Sequence, residues 1–319
     1  MSHAKYRLNL PQLNGHLLLT DGGMETTLVF HDGYELPYFA SFDLLRSKEG
    51  TEWLKSYYSR YAALSVEQGY GFVLETPTWR ANRDWATLMG YSEEALKIIH
   101  QEAVEMLFDL RAKHETPQTP FVVSGNLGPR GDGYRADSRM SADEAEAYHR
   151  SQVANFAGAG VDMISALTIT YAEEAEGIVR AAQGEGVPVA ISFTLETDGR
   201  LPSGQSLKDA IHQLDGHAET RPAYFMINCA HPDHFQDVIA RGGSWTRRIR
   251  GLRANASRLS HEELDKAEVL DDGDPVELGA QYKALLELLP NLAVIGGCCG
   301  TDHRHVCAIG YSCRHQVTA

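Results

Sequence analysis

Three cysteines in two distant segments are the residues of this chain best suited to hold a metal. Cys298 and Cys299 are adjacent in AVIGGCCGTD, and Cys229 lies far upstream in FMINCAHP. Each stretch reads as a short apolar strand ending at its cysteine, which predicts that the three thiolates meet at one end of a parallel sheet. Three protein ligands leave one position of a tetrahedral zinc open, as in catalytic zinc sites. We expect the chemistry at that open position.

Burial as small apolar side chains is the alternative explanation for these cysteines. Free cysteine is among the most buried residue types, so core packing alone would explain Cys229. The adjacent pair is harder to explain in this way, because Gly296, Gly297 and Gly300 allow the backbone to fold around an ion and direct both sulfurs to it.

Composition excludes several classes of partner. The 319 residues contain 29 Lys and Arg against 43 Asp and Glu, a net charge of −14 that repels nucleic acid and anionic membrane surfaces. We find neither a signal peptide nor a run of 18 apolar residues, which predicts a soluble protein. Five cysteines, an odd number, indicate free thiols and a reducing compartment, so we expect a cytoplasmic location.

Eight short β-rich runs alternate with helical stretches along the chain. Most of the runs are apolar without alternation, as expected of strands buried on both faces. The predicted strands cover 16–21, 71–76, 120–126, 162–167, 187–193, 223–228, 248–254 and 292–297.

The intervening segments carry helix signals. Ser141 with Glu144 and Ser260 with Glu263 have capping-box spacing, the second pair opening a predicted helix over 260–270. Residues 92–114 form a predicted surface helix with acids in its first turn and bases in its last. Its apolar stripe is predicted to contain Ala95, Ile98, Ile99, Met106 and Leu110. The stretches 48–69 and 275–289 are predicted to be helical as well.

Eight strand–helix repeats predict an α/β protein, a (β/α)8 TIM barrel formed by residues 1–319 as a single domain. An open doubly wound sheet is the alternative. TDGGMET stands after the first strand in place of a dinucleotide-type glycine fingerprint, which favours closure. The Gly-rich loop over 125–140, after the third strand, is long enough to cover a site.

In such a barrel the active site lies at the carboxyl ends of the strands. Glu75 is either a site residue or a solvated rim residue, and Trp79 either faces a methylated cation or packs. The predicted strand ends carry Asp21, Glu75, Asn126, Leu167, Phe193, Cys229, Asn255 and the Cys298–Cys299 pair.

GGCCGT, the upstream INC and the N-terminal DGGMET together resemble the zinc-dependent homocysteine S-methyltransferase family, which includes betaine and S-methylmethionine enzymes. The stretch ISFTLETDGRLPSGQSL and Asn255 are further similarities, and the resemblance covers nearly the whole chain. It implies a (β/α)8 barrel, Zn²⁺ held by Cys229, Cys298 and Cys299, and homocysteine bound through its sulfur.

The resemblance also implies substrate contacts. Asp21 matches an acid that contacts the homocysteine amino group, although a turn aspartate that holds local amides is the simpler alternative. Glu75, Asn228 and Gly297 are the other predicted substrate-binding residues.

Zinc would stabilise the substrate thiolate, which would attack a methyl group on a positively charged sulfur or nitrogen. The partners are therefore a small-molecule thiol acceptor and a methyl donor. Betaine, S-methylmethionine, S-adenosylmethionine and methylfolate are all donors to consider, and the lack of evident folate or cobalamin modules favours a simple onium donor. A zinc hydrolase is disfavoured, because three thiolates do not promote an acidic bound water.

Leu167 departs from the family pattern. An ungapped alignment places it where the family has a glutamate that also binds the homocysteine amino group. Either another acid such as Glu75 or Glu25 replaces it, or the acceptor is a different thiol or selenol. A metal- and thiol-binding protein without turnover is a third hypothesis.

A histidine near the cysteines is a candidate fourth ligand in the resting enzyme, with His303 preferred, although helix capping or surface exposure is the more common role of such residues. The four candidates are His231, His234, His303 and His305. Cys307 and Cys313 fall on a predicted C-terminal helix and are interpreted as packing or exposed thiols.

Overall fold

Eight parallel strands close into a barrel in chain order, β1 to β8, in a computed structural model that describes residues 4–218 and 221–314. The predicted fold class is confirmed. The strands are β1 Leu18–Leu19, β2 Gly71–Glu75, β3 Phe121–Leu127, β4 Met163–Ile169, β5 Val189–Phe193, β6 Tyr224–Asn228, β7 Ile249–Ala254 and β8 Val294–Gly297.

The strand bounds differ from the prediction by one or more residues, and two of these differences affect the site. β1 contains two residues rather than six, because the chain turns into the DGG segment directly after it. β4 continues past Leu167 to Ile169, because the pairing with β5 shifts register between Ala166 and Ile169. Thr168 lies in that irregularity with φ of 62°, a left-handed conformation that is rare for a β-branched residue. Leu167 is therefore inside a strand, not at its end.

Helices cover the outside of the barrel. Both predicted capping boxes form, at Ser141 with Glu144 and at Ser260 with Glu263. The α-helices are α1 Met24–Thr26, α2 Lys48–Gln68, α3 Arg83–Leu88, α4 Glu93–His114, α5 Ala142–Ala159, α6 Ala172–Gly184, α7 Leu207–Asp215, α8 Pro232–Ala240, α9 His261–Asp265, α10 Pro275–Leu288 and α11 His303–Cys313. Within the described ranges, no helix combines the length and the apolar character needed to cross a membrane.

Two helix predictions are corrected. Ile98 is not in the buried stripe of α4, since 53% of it is exposed. The helix that begins after Ser260 ends at Asp265 instead of continuing to 270, and part of the segment that follows runs along the mouth of the central cavity.

The barrel interior changes character from bottom to top. The lower layer is apolar and includes Leu18, Val73, Val122 and Val294. The short 3-10 helix Pro11–Leu13 lies against this end, where Gln12 Nε2 donates to the Tyr224 hydroxyl over 3.2 Å. The upper layer is polar, with the buried side chains of Glu75, Ser124, Asn126, Ser192, Asn228 and Arg253. Polar groups therefore collect at the carboxyl ends of the strands.

Candidate active site

A cavity of about 540 Å³ opens at the carboxyl ends of the strands. Asp21, Glu75 and Asn126 line it together with the three cysteines of the two predicted motifs. This is the end of the barrel at which the sequence predicted a site.

The three cysteines converge, as predicted. Their sulfur atoms lie within 4.8 Å of one another, with Cys229 Sγ 3.9 Å from Cys299 Sγ. Two sulfurs on one tetrahedral zinc, each bonded at about 2.3 Å, are roughly 3.8 Å apart. The sulfurs of Cys229 and Cys298 are in disulfide contact, with a Cα–Cα distance of 5.5 Å. The set therefore suits a soft divalent ion once this pair is reduced.

Cys229 directly follows β6 and has a left-handed conformation with φ of 52°. Its backbone N–H donates to the Arg253 carbonyl over 3.1 Å, and its own carbonyl accepts from His261 Nε2 at 2.7 Å and from Thr194 Oγ1 at 3.3 Å. Such strain costs on the order of 1 kcal/mol or more and persists only where neighbours enforce it. Three neighbouring segments thus fix the turn that carries this thiol.

The DGG turn packs directly on the loop that carries the other two cysteines. Gly23 N–H donates to the Thr301 carbonyl over 2.9 Å. A Cβ at Gly23 would lie 2.6 Å from the Cys298 carbonyl oxygen, closer than any side chain permits. The two motifs therefore form one structural unit around Cys298 and Cys299.

Asn228 uses its amide within the protein. Its Oδ1 accepts from Thr168 N–H at 2.8 Å and from Ser192 Oγ at 2.6 Å, and its Nδ2 donates to Thr168 Oγ1 at 2.8 Å. The same Nδ2 lies 3.8 Å from Cys298 Sγ. Asn228 thereby holds the strained Thr168 and contacts a cysteine of the cluster. Its substrate contact stays a prediction.

Arg253, which the sequence analysis missed, connects the other predicted substrate-binding residues. Its Nη2 donates to Asp21 Oδ1 over 2.6 Å, its Nη1 forms an ion pair with Glu75, and its Nε donates to the Gly297 carbonyl over 3.0 Å. Gly297 itself is not among the residues that line the cavity. Asp21 and Glu75 are buried carboxylates that share one guanidinium as their ion-pair partner. A charged residue near the end of a buried strand is the signal that could have revealed Arg253.

Other acceptors in the cavity are less engaged. Leu167 lines the wall, as the sequence suggested, and offers no charge. Glu25 accepts one hydrogen bond from Ser41 Oγ at 2.8 Å, and burial raises the pKa of Glu25. Asn126 Oδ1 is buried without a partner among the described residues. Glu25 and Asn126 therefore each keep acceptor capacity that the described residues do not use.

Tyr134 brings the Gly-rich loop after β3 over the cysteines. Its hydroxyl is 3.5 Å from Cys299 Sγ, and its ring stacks on His261 with centroids 4.0 Å apart. Burial raises the pKa of both Tyr134 and Cys299. The loop covers this part of the site, as expected from its length, but the irregular sequence gave no reason to select Tyr134.

Trp79 stacks on a cation that belongs to the protein. The Arg80 guanidinium carbon lies 4.2 Å from the ring centroid of Trp79 and 4.2 Å from that of Trp85. Trp79 Nε1 donates to the Leu167 carbonyl over 3.1 Å. The indole predicted to face a methylated cation is thus already in contact with Arg80.

The histidines near the cysteines serve other roles. His231 caps α8, His234 Nε2 donates to the Arg258 carbonyl, and His305 Nδ1 accepts from Asp302 N–H. The metal-compatible cluster found among the described residues contains cysteines alone, so no histidine, His303 included, joins it. Cys307 and Cys313 lie on α11, half-buried and buried respectively, away from the cavity.

Comparison with known proteins agrees with this architecture. The homocysteine methyltransferase MmuM from Escherichia coli superposes with a TM-score of 0.73 in its oxidised form, at 22% identity over 92% of this chain and 95% of that one. Its metallated form gives 0.72 at 21% identity over 96% and 99% of the two chains. At this identity the likeness establishes the fold.

Sequence relatives match over part of their length. Homocysteine S-methyltransferase from Escherichia coli is 28% identical over 48% of this chain, and homocysteine S-methyltransferase 4 from Zea mays is 25% identical over 61%. The matched stretch covers 52% of the bacterial relative and 59% of the maize relative, little more than half of each. Residues 18–312 match the family described as homocysteine S-methyltransferase. Because that match spans most of the chain, the protein belongs to the homocysteine S-methyltransferase family.

Proposed function

We propose that this protein transfers a methyl group from an onium donor to the thiolate of homocysteine, giving methionine, with zinc held by Cys229, Cys298 and Cys299. The observation that carries the proposal is the convergence of three sulfur atoms within 4.8 Å at the wall of a substrate-sized cavity.

The chemistry of the three sulfur ligands indicates which metal suits the site. Thiolate ligands favour zinc, whereas calcium and magnesium favour oxygen ligands. Three thiolates leave one position on a tetrahedral zinc for a substrate sulfur. Bound zinc would supply a Lewis acid that keeps the incoming thiol deprotonated near neutral pH.

The residues of the chain determine the rest of the reaction. The substrate sulfur attacks the methyl carbon as the bond from that carbon to the onium sulfur or nitrogen breaks, and the leaving group departs neutral with the electron pair. In-line placement of the two substrates provides much of the acceleration. Tyr134, on the loop over the cysteines, helps to exclude water from this geometry.

The charge of the cavity supports a cationic donor. Six carboxylates and two guanidiniums line it, Arg80 and Arg253 being the guanidiniums. The carboxylates belong to Asp21, Glu25, Glu75, Asp132, Asp265 and Asp271. This excess of negative charge favours binding of a sulfonium or quaternary ammonium ion and of a substrate ammonium group.

For the homocysteine ammonium group we propose Glu25 and Asn126 as the principal partners. Asp21 and Glu75 are held by Arg253, and Leu167 replaces the expected glutamate. Glu25 and Asn126 retain free acceptor capacity in the same cavity.

A different acceptor thiol is the second candidate, and the Arg253 ion pairs with Asp21 and Glu75 are the observation that favours it. An acceptor without an ammonium group would not need these acids free. A substrate ammonium group would have to share these two carboxylates with the buried Arg253 guanidinium.

The test is methyl transfer by the reduced, zinc-loaded protein, with products identified by mass spectrometry. Homocysteine, cysteine and a thiol without an amino group, 3-mercaptopropionate, are each supplied with S-methylmethionine or betaine. Methionine formed from homocysteine supports the proposal. Product with the other thiols alone supports the second candidate. Thiol binding without product from any pair refutes both.

A further inference from the structure

We propose that Arg80 binds the carboxylate group of the methyl donor and so selects donors that carry a carboxylate over those that do not. The assignment rests on the proposed function for the identity of the donor. It concerns a residue outside the cysteine cluster.

The two arginines of the cavity differ in how their donors are used. Arg253 is committed to Asp21, Glu75 and the Gly297 carbonyl. Arg80 donates from Nη1 to the Gly131 carbonyl over 2.9 Å, and its Nε is buried without a hydrogen-bond partner in the described part of the chain. A buried N–H of a charged group without a partner is costly, so a ligand oxygen at this position would be strongly favoured.

Stacking holds Arg80 in place without using its hydrogen-bond donors. The guanidinium lies 4.2 Å from the ring centroids of both Trp79 and Trp85. Contacts to the faces of a guanidinium leave its edge free, and that edge matches the two oxygens of a carboxylate. Because the side chain is already ordered, little further entropy is lost when an anion binds.

The position of Arg80 in the barrel assigns it to the donor. Arg80 follows β2, whereas Cys229 follows β6 and Cys298 and Cys299 follow β8, so Arg80 is four strands from the first cysteine segment and two strands from the second around the closed barrel. The acceptor sulfur belongs at the cysteines. In-line transfer requires the leaving group on the side of the methyl carbon away from the cysteines. Arg253 lies on β7, between the two strands that carry the cysteines, so Arg80 is the cavity guanidinium outside this group of strands.

The surrounding charge fits a donor with separated charges. Asp132 and Glu25 line the same cavity and can attract an onium centre, although neither forms an ion pair with Arg80 among the described residues. Of the two cavity guanidiniums, Arg80 is the one without an ion pair among the described residues. An onium ion that also carries a carboxylate would satisfy both.

Calorimetric binding to the zinc-loaded protein with homocysteine present tests this without requiring turnover. The probes are two matched pairs: betaine against choline, and S-methylmethionine against trimethylsulfonium. Wild-type protein is expected to bind the carboxylate member of at least one pair about tenfold or more tightly. Arg80→Gln is expected to lose that preference and Arg80→Lys to keep part of it.

Arg83→Gln is the matched control. It makes the same change of charge on α3, three residues along the chain, at a side chain that does not line the cavity. This variant is expected to retain the wild-type preference. Thermal unfolding of each variant checks that it is folded.

Three results would overturn the assignment. The first is that wild-type protein binds the carboxylate member of neither pair more tightly. The second is that Arg80→Gln keeps the full preference for the carboxylate member. The third is that Arg80→Gln loses tenfold in homocysteine affinity while its donor preference is intact. Preference for a carboxylate donor without methyl transfer would instead refute the proposed function and leave Arg80 as the anion-binding residue.

Discussion

The two sides of the proposed active site are held in place by different kinds of contact. The sulfur side, formed by Cys229, Cys298 and Cys299, is held by backbone: a left-handed turn, close glycine packing and hydrogen bonds to main-chain atoms. The arginine side, formed by Trp79, Arg80 and Trp85, is held by side-chain stacking. Between them lies the buried Arg253 cluster. A metal site depends on fixed ligand distances, whereas a donor site can vary its side chains on the same scaffold.

The largest effect is expected from the sulfur side. Cys298→Ser removes one of three soft ligands, so bound zinc should fall well below one ion per chain and methyl transfer by about a thousandfold or more. Elemental analysis and single-turnover assays measure the two quantities. Cys307→Ser, on the outer face of the barrel, is the control and should retain both. Full zinc content in Cys298→Ser would disprove the assigned ligand set.

Removing Arg253 should destabilise the region between the two sides. Arg253→Met leaves Asp21 and Glu75 buried without their partner, which should reduce the free energy of unfolding by about 3 kcal/mol. Urea titration of the metal-free, reduced protein measures it. Adding Asp21→Asn and Glu75→Gln removes the uncompensated charges and should restore much of the loss. Equal instability in the triple variant would show that packing, not charge, is the role of Arg253.

Lowering the pH should reduce the free energy of unfolding through His100, whose hydrogen bonds hold the backbone next to Arg80. Burial lowers the pKa of His100 to about 4, and its Nε2 donates to the Ala81 carbonyl next to Arg80 while Nδ1 accepts from Asn155. Since the folded-state pKa lies below the ordinary value near 6.5, the contribution is present above pH 6.5 and is lost as the pH falls towards 4.

This one group should reduce the free energy of unfolding by about 2 kcal/mol between pH 7 and pH 5. His100→Gln should flatten the pH dependence of urea unfolding by that amount. Burial also lowers the pKa of His231, next to the sulfur side, to about 4, so His231→Gln should flatten the same range. An unchanged slope in His100→Gln would contradict the buried neutral state.

The smallest effect is expected on zinc affinity, when one tyrosine hydroxyl is removed from each side in turn. Tyr134→Phe removes the group 3.5 Å from Cys299 Sγ and should weaken zinc affinity about tenfold, as loss of a hydrogen bond to a metal ligand does. Tyr38→Phe removes a hydroxyl on the arginine side, where the Tyr38 ring lies tilted against Trp85 with centroids 5.6 Å apart, and should leave zinc affinity unchanged. Competition with a chelator measures both. Equal effects would remove the distinction between the sides.

Sequence patterns predicted the sulfur side because its determinants are local. The strands are apolar runs, the cysteines follow two of them directly, and barrel closure brings their ends together. The Arg253 cluster was not predicted, because Glu75 and Arg253 are 178 residues apart and their pairing depends on which side chains face inward across the barrel. Tyr134 and Arg80 lie in irregular loops whose paths no periodicity determines. The bulge at Thr168 likewise depends on Asn228 from another strand.

X-ray absorption at the zinc edge tests the central claim most directly. Reduced, zinc-loaded protein should show three sulfur ligands at about 2.3 Å, and addition of homocysteine should raise the number to four. Fewer than three sulfurs in the resting protein, or a sulfur count unchanged by homocysteine, would contradict the account.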